Sequence, residues 1–337
     1  MKDQFSIKLK KEMDRYMIGQ NEYKMAIATA IDRHIKFGKR NHILAFGPTG
    51  SGKTFIFHGL EKSKLIPEDY TIMIANVSRI TEEGYKGQDI ESIFENYARL
   101  CRKNHDYKYK GIICIDETDK VVAQYQLNDR NGESGHNAML QYQLMQILDG
   151  GMIANIPTDN ILFVFCGVFD GLNHLDEYHD EKKIGFSADT SMEKTFINEE
   201  ATIREKLISI GFQREFLGRI SQIVEVEKLT KAEIKAILLH PTRGILAELE
   251  DEFMVDGIEV DITDEAVEAM TNAIVSENLG ARSARNVLES ILPKARFYCM
   301  ENEYNKIIID EEAVFKGIPK YEKITGSKFH DSITDDK

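Results

Sequence analysis

The feature that most constrains this chain is a glycine-rich segment between an apolar run and a helical pattern. It fits the form Gly-x4-Gly-Lys-[Ser/Thr] and comprises Gly47, Pro48, Thr49, Gly50, Ser51, Gly52, Lys53 and Thr54. The apolar run His42–Phe46 predicts a buried strand before it, and residues 54–60 predict the start of a helix. Backbone N–H groups of such a loop converge on an anion at a helix N-terminus. We therefore expect it to bind a nucleoside triphosphate, with Lys53 on the β- and γ-phosphates and Thr54 on Mg²⁺; an ordinary glycine-rich turn is the alternative.

A second strong signal is an apolar run of strand length that ends in two carboxylates. Residues 111–115 are followed directly by Asp116 and Glu117. Strands buried on both faces have this continuous apolar pattern, and ligands bind at the carboxyl ends of parallel strands. We expect Asp116 to hold Mg²⁺, directly or through water, and Glu117 to act as the general base that polarises the attacking water.

Charge, hydropathy and cysteine usage exclude several classes of protein. The chain has 337 residues, enough for about two domains. Its net charge of −13 disfavours nucleic acid as the main ligand, because phosphate backbones require a basic face. No apolar run is long enough to predict a transmembrane helix or a signal peptide, so we expect no membrane association. The 4 cysteines are far apart, which predicts no zinc site, reduced thiols and a cytoplasmic protein; Cys114 and Cys166 are expected to be small core residues.

The pattern of elements predicts two domains and a tail. Residues 1–227 alternate strands and helices, which predicts an α/β domain with a parallel sheet. Residues 228–321 predict a smaller, mostly helical domain, with helices at 231–253, 264–277 and 281–301; Thr230 and Glu233 form a capping-box pattern and Thr263 an N-cap. Residues 322–337 are polar and predict disorder.

Several weaker signals indicate a binding role but also fit an ordinary structural role. Met17–Ile18 precedes a glycine break and a helix, and could contact an adenine ring or simply pack on the core. Tyr85 lies between glycines in a polar segment and could grip another molecule through its ring, or belong to an ordinary turn. Ile184 and Phe186 are large apolar residues within a polar loop at 180–198, which makes docking one candidate role. Two arginines near a helix start, at 282 and 285, oppose the helix dipole; we expect an anionic partner for one of them, or a solvated helix face.

The order of these motifs resembles the AAA+ ATPases of the ClpX family, from about Tyr16 to Met300. The resemblance implies a P-loop AAA+ large domain followed by a small, mostly helical AAA+ lid domain. It implies that Ile18-Gly19-Gln20 is the adenine-side motif, and that Gly47–Thr54 and Ile112–Glu117 are the two ATP motifs. It also implies that Tyr85 and Lys86 belong to the pore loop that drags substrate polypeptide.

The resemblance further implies how subunits cooperate. Arg219, after Gly218, matches the arginine finger that acts on the neighbouring subunit's ATP, and Arg282 matches the sensor-2 residue. The tripeptide Ile184, Gly185 and Phe186 is similar to the one that docks the family onto the ClpP peptidase. The resemblance thus implies a homo-oligomeric ring, expected to be a hexamer, that hydrolyses ATP to unfold polypeptides for a ClpP-like peptidase and has no peptidase activity of its own.

The chain also departs from the family pattern. The four-cysteine zinc domain at the family's N-terminus has no counterpart in this sequence, and Lys86 replaces a valine in the pore loop. The stretch from Gly150 to Asn160 is too short for the basic loop at the pore entrance, and Arg214 replaces a proline. The first-sensor residue is not evident, since Cys166 lacks any independent support. The related HslU family is disfavoured because its large insertion after the second ATP motif is absent.

Two other functions stay open from the sequence. One is a stand-alone remodeller that disassembles protein complexes without a peptidase. The other is a nucleic-acid-acting AAA+ protein such as a helicase loader, which the net charge and the Gly-Tyr-Lys-Gly loop disfavour.

Overall fold

The computed structural model describes residues 4–77, 90–104, 108–122, 133–169, 172, 196–240, 244–277 and 282–324. The predicted features at Tyr85, Lys86 and residues 184–186 lie outside these ranges. The chain divides into two compact units. The first comprises Met1–Pro48 and Gly52–Glu227, and the second comprises Thr49–Ser51 and Lys228–Lys337.

A five-stranded sheet forms the centre of the first unit. Its strands are β1 (Ile43–Phe46), β2 (Thr71–Asn76), β3 (Gly111–Asp116), β6 (Ile161–Gly167) and β7 (Gln222–Glu225). They are ordered β2-β3-β6-β1-β7, and all four neighbouring pairs are parallel. The predicted α/β fold with a parallel sheet is therefore confirmed. In this arrangement the carboxyl ends of the strands, with the loops that follow them, lie along one edge of the sheet.

Helices cover both faces of this sheet. They are α1 (Phe5–Asp14), α2 (Asn21–Phe37), α3 (Phe55–Glu61), α4 (Ile90–Lys103), α5 (Glu133–Leu148), α6 (Phe196–Ser209) and α7 (Arg214–Leu217). Along β3, Ile112 and Cys114 pack into the core beneath α1, α2 and α3, whereas Ile113 and Ile115 pack into the core with α4, α5 and α7. Successive strand side chains point to opposite faces, so two covered faces require the unbroken apolar run seen in the sequence.

In the first unit, one local feature was not predicted from the sequence and one prediction is wrong in part. A short hairpin pairs β4 (Met152–Ile153) with β5 (Ile156–Pro157), and its two turn residues, Ala154 and Asn155, have φ values of 49° and 62°. Both values fit a two-residue hairpin turn of the type that matches strand twist. The predicted loop at 180–198 is wrong at its end, because residues 196–198 already belong to α6.

The second unit combines helices with a small sheet. Its helices are α8 (Lys231–Leu238), α9 (Ile245–Met254), α10 (Asp264–Glu277), α11 (Arg282–Asn302) and α12 (Glu311–Lys316). Its strands are β8 (Glu259–Ile262), β9 (Lys306–Ile309) and β10 (Lys320–Glu322), ordered β10-β9-β8. The sequence predicts the helical majority but not this sheet. Glu322 ends β10, so the predicted disorder beginning at this residue is wrong there.

One predicted helix is divided in two. The continuous helix expected at 231–253 is interrupted between α8 and α9. The sequence places His240 before Pro241, and the residue before a proline is disfavoured in helical conformation, which accounts for the break. The predicted caps are confirmed: Thr230 and Glu233 form a complete capping box, and the Thr263 hydroxyl accepts a 3.2 Å hydrogen bond from the Ala266 N–H. No helix in the described part of the chain is long and apolar enough to cross a membrane.

Candidate nucleotide site

The glycine-rich loop leaves β1 at the carboxyl edge of the sheet and leads into α3. A Cβ on Gly47 would lie 2.0 Å from the Val226 carbonyl oxygen, so the backbones of these two segments approach closely. Gly50 and Gly52 have φ values of 75° and 95°, which residues other than glycine rarely adopt. The glycines therefore serve backbone geometry, as a loop that turns its N–H groups toward an anion requires.

Lys53 is buried, and its ammonium group folds back over the loop. Its Nζ donates hydrogen bonds of 2.7 Å to the Gly47 carbonyl and 2.8 Å to the Pro48 carbonyl. Its own carbonyl accepts a 2.6 Å hydrogen bond from the hydroxyl of Tyr23, a fully buried residue of α2. Tyr23 thus fixes the backbone at the lysine from beneath. This tyrosine could not be identified from the sequence, because nothing in the pattern of its predicted helix, 30 residues before Lys53, indicates a contact with the loop.

Asp116 and Glu117 follow β3 at the same edge. Burial raises the pKa of the Asp116 carboxyl, and three groups oppose the increase: the Glu117 N–H, the Lys53 charge and the Thr54 hydroxyl, which is hydrogen-bonded to Asp116. The Glu117 N–H lies 2.9 Å from Asp116 Oδ1. The structure therefore brings Lys53, Thr54, Asp116 and Glu117 together, as the two sequence motifs predict.

Glu117 has a left-handed backbone conformation, with φ 57° and ψ 33°. A non-glycine residue in this region costs about 1–3 kcal/mol and is concentrated at functional sites. The next residue, Thr118, is buried, and its hydroxyl donates a 3.0 Å hydrogen bond to the Ile115 carbonyl. In the turn that follows β3, the left-handed conformation therefore falls on the residue that the sequence predicts to be the general base.

The donor set at this edge fits Mg²⁺ bound together with a nucleotide. Thr54 and Asp116 supply a hydroxyl and a carboxylate oxygen that already lie within hydrogen-bonding distance of each other. Mg²⁺ is a hard cation that takes one or two protein oxygens and completes its shell with phosphates and water. Among the described residues, no group of three or more His, Cys, Asp and Glu side chains could hold a metal ion by itself.

The segment before α2 is tied to the end of β7. Ile18 is half-buried and Met17 is buried, with its Cε close to Gly52 of the loop. Gln20 has a left-handed backbone, and its side-chain amide both donates to the Glu227 carbonyl at 2.7 Å and accepts from the Glu227 N–H at 3.0 Å. Met17 therefore packs on the core, which was the structural alternative to an adenine contact. The adenine contact of Ile18 stays a prediction.

Arg219 lies on the other edge of the sheet. It precedes β7, and the N–H of Ser221, two residues further on, donates to the carbonyl of His42, which precedes β1. The four-residue strand β7 spans about 13 Å, so Arg219 is separated from the loop that follows β1. Its guanidinium forms two hydrogen bonds with Asp149, Nε to Oδ1 at 2.6 Å and Nη2 to Oδ2 at 2.8 Å.

The remaining candidates lie elsewhere. Arg282 begins α11, and its side chain lies outside the described part of the structure. Arg285 pairs with Glu248 and Glu289, so one of the two arginines has the anionic partner that the sequence predicts. Cys166 is fully buried in β6, with its Sγ 3.7 Å from that of Cys114. Both cysteines are confirmed as small core residues.

Comparison with known proteins agrees with this geometry. Residues 39–223 match the model of the AAA domain (Cdc48 subfamily). The chain is 32% identical over 305 residues to the ATP-dependent Clp protease ATP-binding subunit ClpX 2 of Wolinella succinogenes, covering 83% of this chain and 74% of the relative. The chain belongs to the ClpX family of AAA+ ATPases.

Other ClpX proteins match nearly the whole chain. The ClpX of Borrelia duttonii is 28% identical over 341 aligned positions, which cover 91% of this chain and 77% of the relative. The ClpX of Porphyromonas gingivalis is 27% identical over the same length, with coverage of 90% and 80%. The expected family is therefore confirmed, and the protein is an ATPase of the ClpX unfoldase type.

Proposed function

We propose that this protein forms a homo-oligomeric ring, expected to be a hexamer, that unfolds polypeptides and passes them to a ClpP-like peptidase. One observation carries the proposal: Lys53, Thr54, Asp116 and Glu117 lie at one edge of the sheet, whereas Arg219 lies at the other. An arginine there is suited to the nucleotide of a neighbouring subunit rather than its own. The names of the relatives, ATP-binding subunits of an ATP-dependent Clp protease, support the peptidase partner.

Each residue at the carboxyl edge has a distinct role in hydrolysis. Lys53 exchanges its two loop carbonyls for phosphate oxygens. Thr54 and Asp116 would hold Mg²⁺, which when bound neutralises charge on the phosphate oxygens. Glu117 polarises the attacking water, and its backbone N–H is hydrogen-bonded to Asp116.

The neighbouring subunit completes the site with Arg219. An arginine finger supplied by another subunit increases kcat by about 10³–10⁵, which corresponds to about 4–7 kcal/mol. An isolated subunit is therefore expected to hydrolyse ATP very slowly. Arg282, at the start of α11, would act as the sensor-2 residue that responds to the phosphate.

Substrate and peptidase contacts rest on motifs outside the described residues. Tyr85 and Lys86 would contact the polypeptide in the axial pore, and the loop with Ile184, Gly185 and Phe186 would dock on the peptidase. A ring presents one such loop per subunit, so multivalency allows each contact to be weak. The reduced, buried cysteines and the acidic net charge of −13 favour work in the cytoplasm on proteins rather than on nucleic acid.

The test combines the protein with ATP, a ClpP peptidase and a fluorescent unfolded protein. Degradation should require ATP and should be lost in Glu117→Gln, which still binds nucleotide. Phe186→Ala should abolish degradation while leaving ATPase activity unchanged. Phe37→Ala is the matched control, because Phe37 is 68% exposed at the end of α2 and has no assigned role.

Each alternative function has its own signature in this assay. Disassembly of protein complexes with no effect of the peptidase would indicate a stand-alone remodeller. Stimulation of ATPase activity by DNA, but not by unfolded protein, would indicate a nucleic-acid-acting protein. Normal degradation by Phe186→Ala would show that the docking assignment is wrong.

A further inference from the structure

Asp149, which follows α5 directly, holds the side chain of Arg219 in one orientation. Its two carboxylate oxygens accept from Nε at 2.6 Å and from Nη2 at 2.8 Å, so the pair is bidentate. We propose that Asp149 is the positioning residue that aims Arg219 at the phosphate of the neighbouring subunit. This inference rests on the proposed function, in which Arg219 completes that subunit's site.

The hydrogen bonds of Arg219 leave a suitable pair of donors for a phosphate. A guanidinium has five N–H donors. Asp149 takes one on Nε and one on Nη2, and the Glu215 carbonyl takes one on Nη1 at 2.6 Å. The two that remain, on Nη1 and Nη2, have only the weakly accepting thioether of Met145, 3.9 Å from Nη1, among their described contacts. A phosphate can accept from two such N–H groups in parallel.

Asp149 is itself fixed on both sides. Its N–H donates to the Met145 carbonyl at 3.1 Å, and Arg40 donates from Nη1 to the Leu148 carbonyl at 3.0 Å. Gly150 has a φ of 90°, and a Cβ there would lie 3.1 Å from Arg40 Nη1. Hydrogen bonding to Arg219, with the charges of Arg219 and Arg40, lowers the pKa of the Asp149 carboxyl and keeps it ionised. The backbone that carries this carboxylate is therefore held in place.

Stability alone does not explain this arrangement. A carboxylate at a helix C-terminus opposes the helix dipole. The side chains of Arg219 and Asp149 are 33% and 56% exposed, so solvent screening reduces what even a bidentate pair contributes to folding. The two-pronged geometry instead restricts a side chain that otherwise samples many rotamers. The guanidinium is then already oriented when the neighbouring nucleotide reaches the transition state, so less side-chain entropy is lost at that point.

The experiment compares full-length variants for ATPase kinetics at saturating ATP. Asp149→Asn keeps one acceptor and loses the charge and the bidentate geometry; we expect kcat to fall about tenfold with little change in nucleotide affinity. Asp149→Glu should recover part of the activity. Asp69→Asn is the matched control, because the Lys110–Asp69 pair has a 2.7 Å bond and side-chain exposures of 30% and 55%, close to those of the Arg219–Asp149 pair.

The Arg219→Ala variant separates failure of this inference from failure of the proposed function. In an Arg219→Ala background, Asp149→Asn should cause no further loss of kcat. If Arg219→Ala hydrolyses ATP normally, the shared site is wrong and the inference falls with it. If Arg219→Ala is inactive but Asp149→Asn matches wild type or is faster, only the positioning role is wrong. A loss that persists in the Arg219→Ala background, or loss of ring assembly in Asp149→Asn, would also overturn it.

Discussion

The hydroxyl of Tyr23 offers a sharp test of how the phosphate loop is held. In Tyr23→Phe, the buried Lys53 carbonyl loses a 2.6 Å hydrogen bond, and no water can replace the donor at a fully buried residue. Leaving such a group unsatisfied costs about 1–3 kcal/mol. The Cys166 thiol, 3.9 Å from the same carbonyl, is a weak donor, so we expect the lower part of that range, about 1–2 kcal/mol.

Thermal unfolding and ATPase kinetics together measure this effect. A loss of about 1–2 kcal/mol lowers Tm by about 2–8 °C in a domain of this size. The KM for ATP should increase, because the released carbonyl belongs to the residue that binds the phosphates. Tyr16→Phe is the matched control: its hydroxyl makes a longer, 3.4 Å bond to the Ile56 carbonyl at a half-buried site, so its effect should be smaller. Equal Tm values for Tyr23→Phe and wild type would refute the reasoning.

Three further predictions concern the loop, an acid-sensitive residue and the end of the first unit. Gly47→Ala should lower stability by about 1–3 kcal/mol or more and abolish nucleotide binding, because its Cβ would lie 2.0 Å from the Val226 carbonyl oxygen; denaturant midpoints and nucleotide titration measure both effects. Burial lowers the pKa of His42 to about 3 from 6.5, so the folded state resists protonation and stability should fall as pH decreases from 6.5 towards 3. At pH 5 this effect of His42 lowers the free energy of unfolding by about 2 kcal/mol. In His42→Gln, the free energy of unfolding measured with urea should therefore fall less steeply as the pH decreases. Gln20→Ala removes both hydrogen bonds to Glu227 and should cost about 1–2 kcal/mol of unfolding free energy; an unchanged urea midpoint would contradict this.

The catalytic edge of the first unit could be predicted from local pattern. The glycines at 47, 50 and 52 are required by backbone geometry, and that requirement is visible in the sequence. Asp116 and Glu117 end an apolar run whose length and continuity identify a strand covered on both faces. Because parallel strands end at the same edge, the two motifs had to converge once the sheet was recognised.

Contacts between distant segments could not be predicted in this way. Asp149 and Arg219 are 70 residues apart, and no sequence pattern around either residue indicates that the two are in contact. The small sheet of the second unit was missed because its strands are short and partly charged: β10 reads Lys320-Tyr321-Glu322, and β8 begins with Glu259. Such strands become recognisable only through their pairing partners, since strand propensity depends on context.

The two carbonyl bonds of Lys53 have a consequence for the thermodynamics of nucleotide capture. The Lys53 ammonium group already donates to the carbonyls of Gly47 and Pro48. A phosphate that binds therefore replaces existing hydrogen-bond acceptors of this group and does not add the first ones. The net enthalpy of binding should then be modest, and the affinity should depend on how easily the loop gives up its own lysine. Nucleotide release is correspondingly assisted, because the departing phosphates are replaced by acceptors within the same loop. An ATPase that binds ATP and releases its products in every cycle benefits from a loop whose own carbonyls can accept the lysine hydrogen bonds again when the nucleotide leaves.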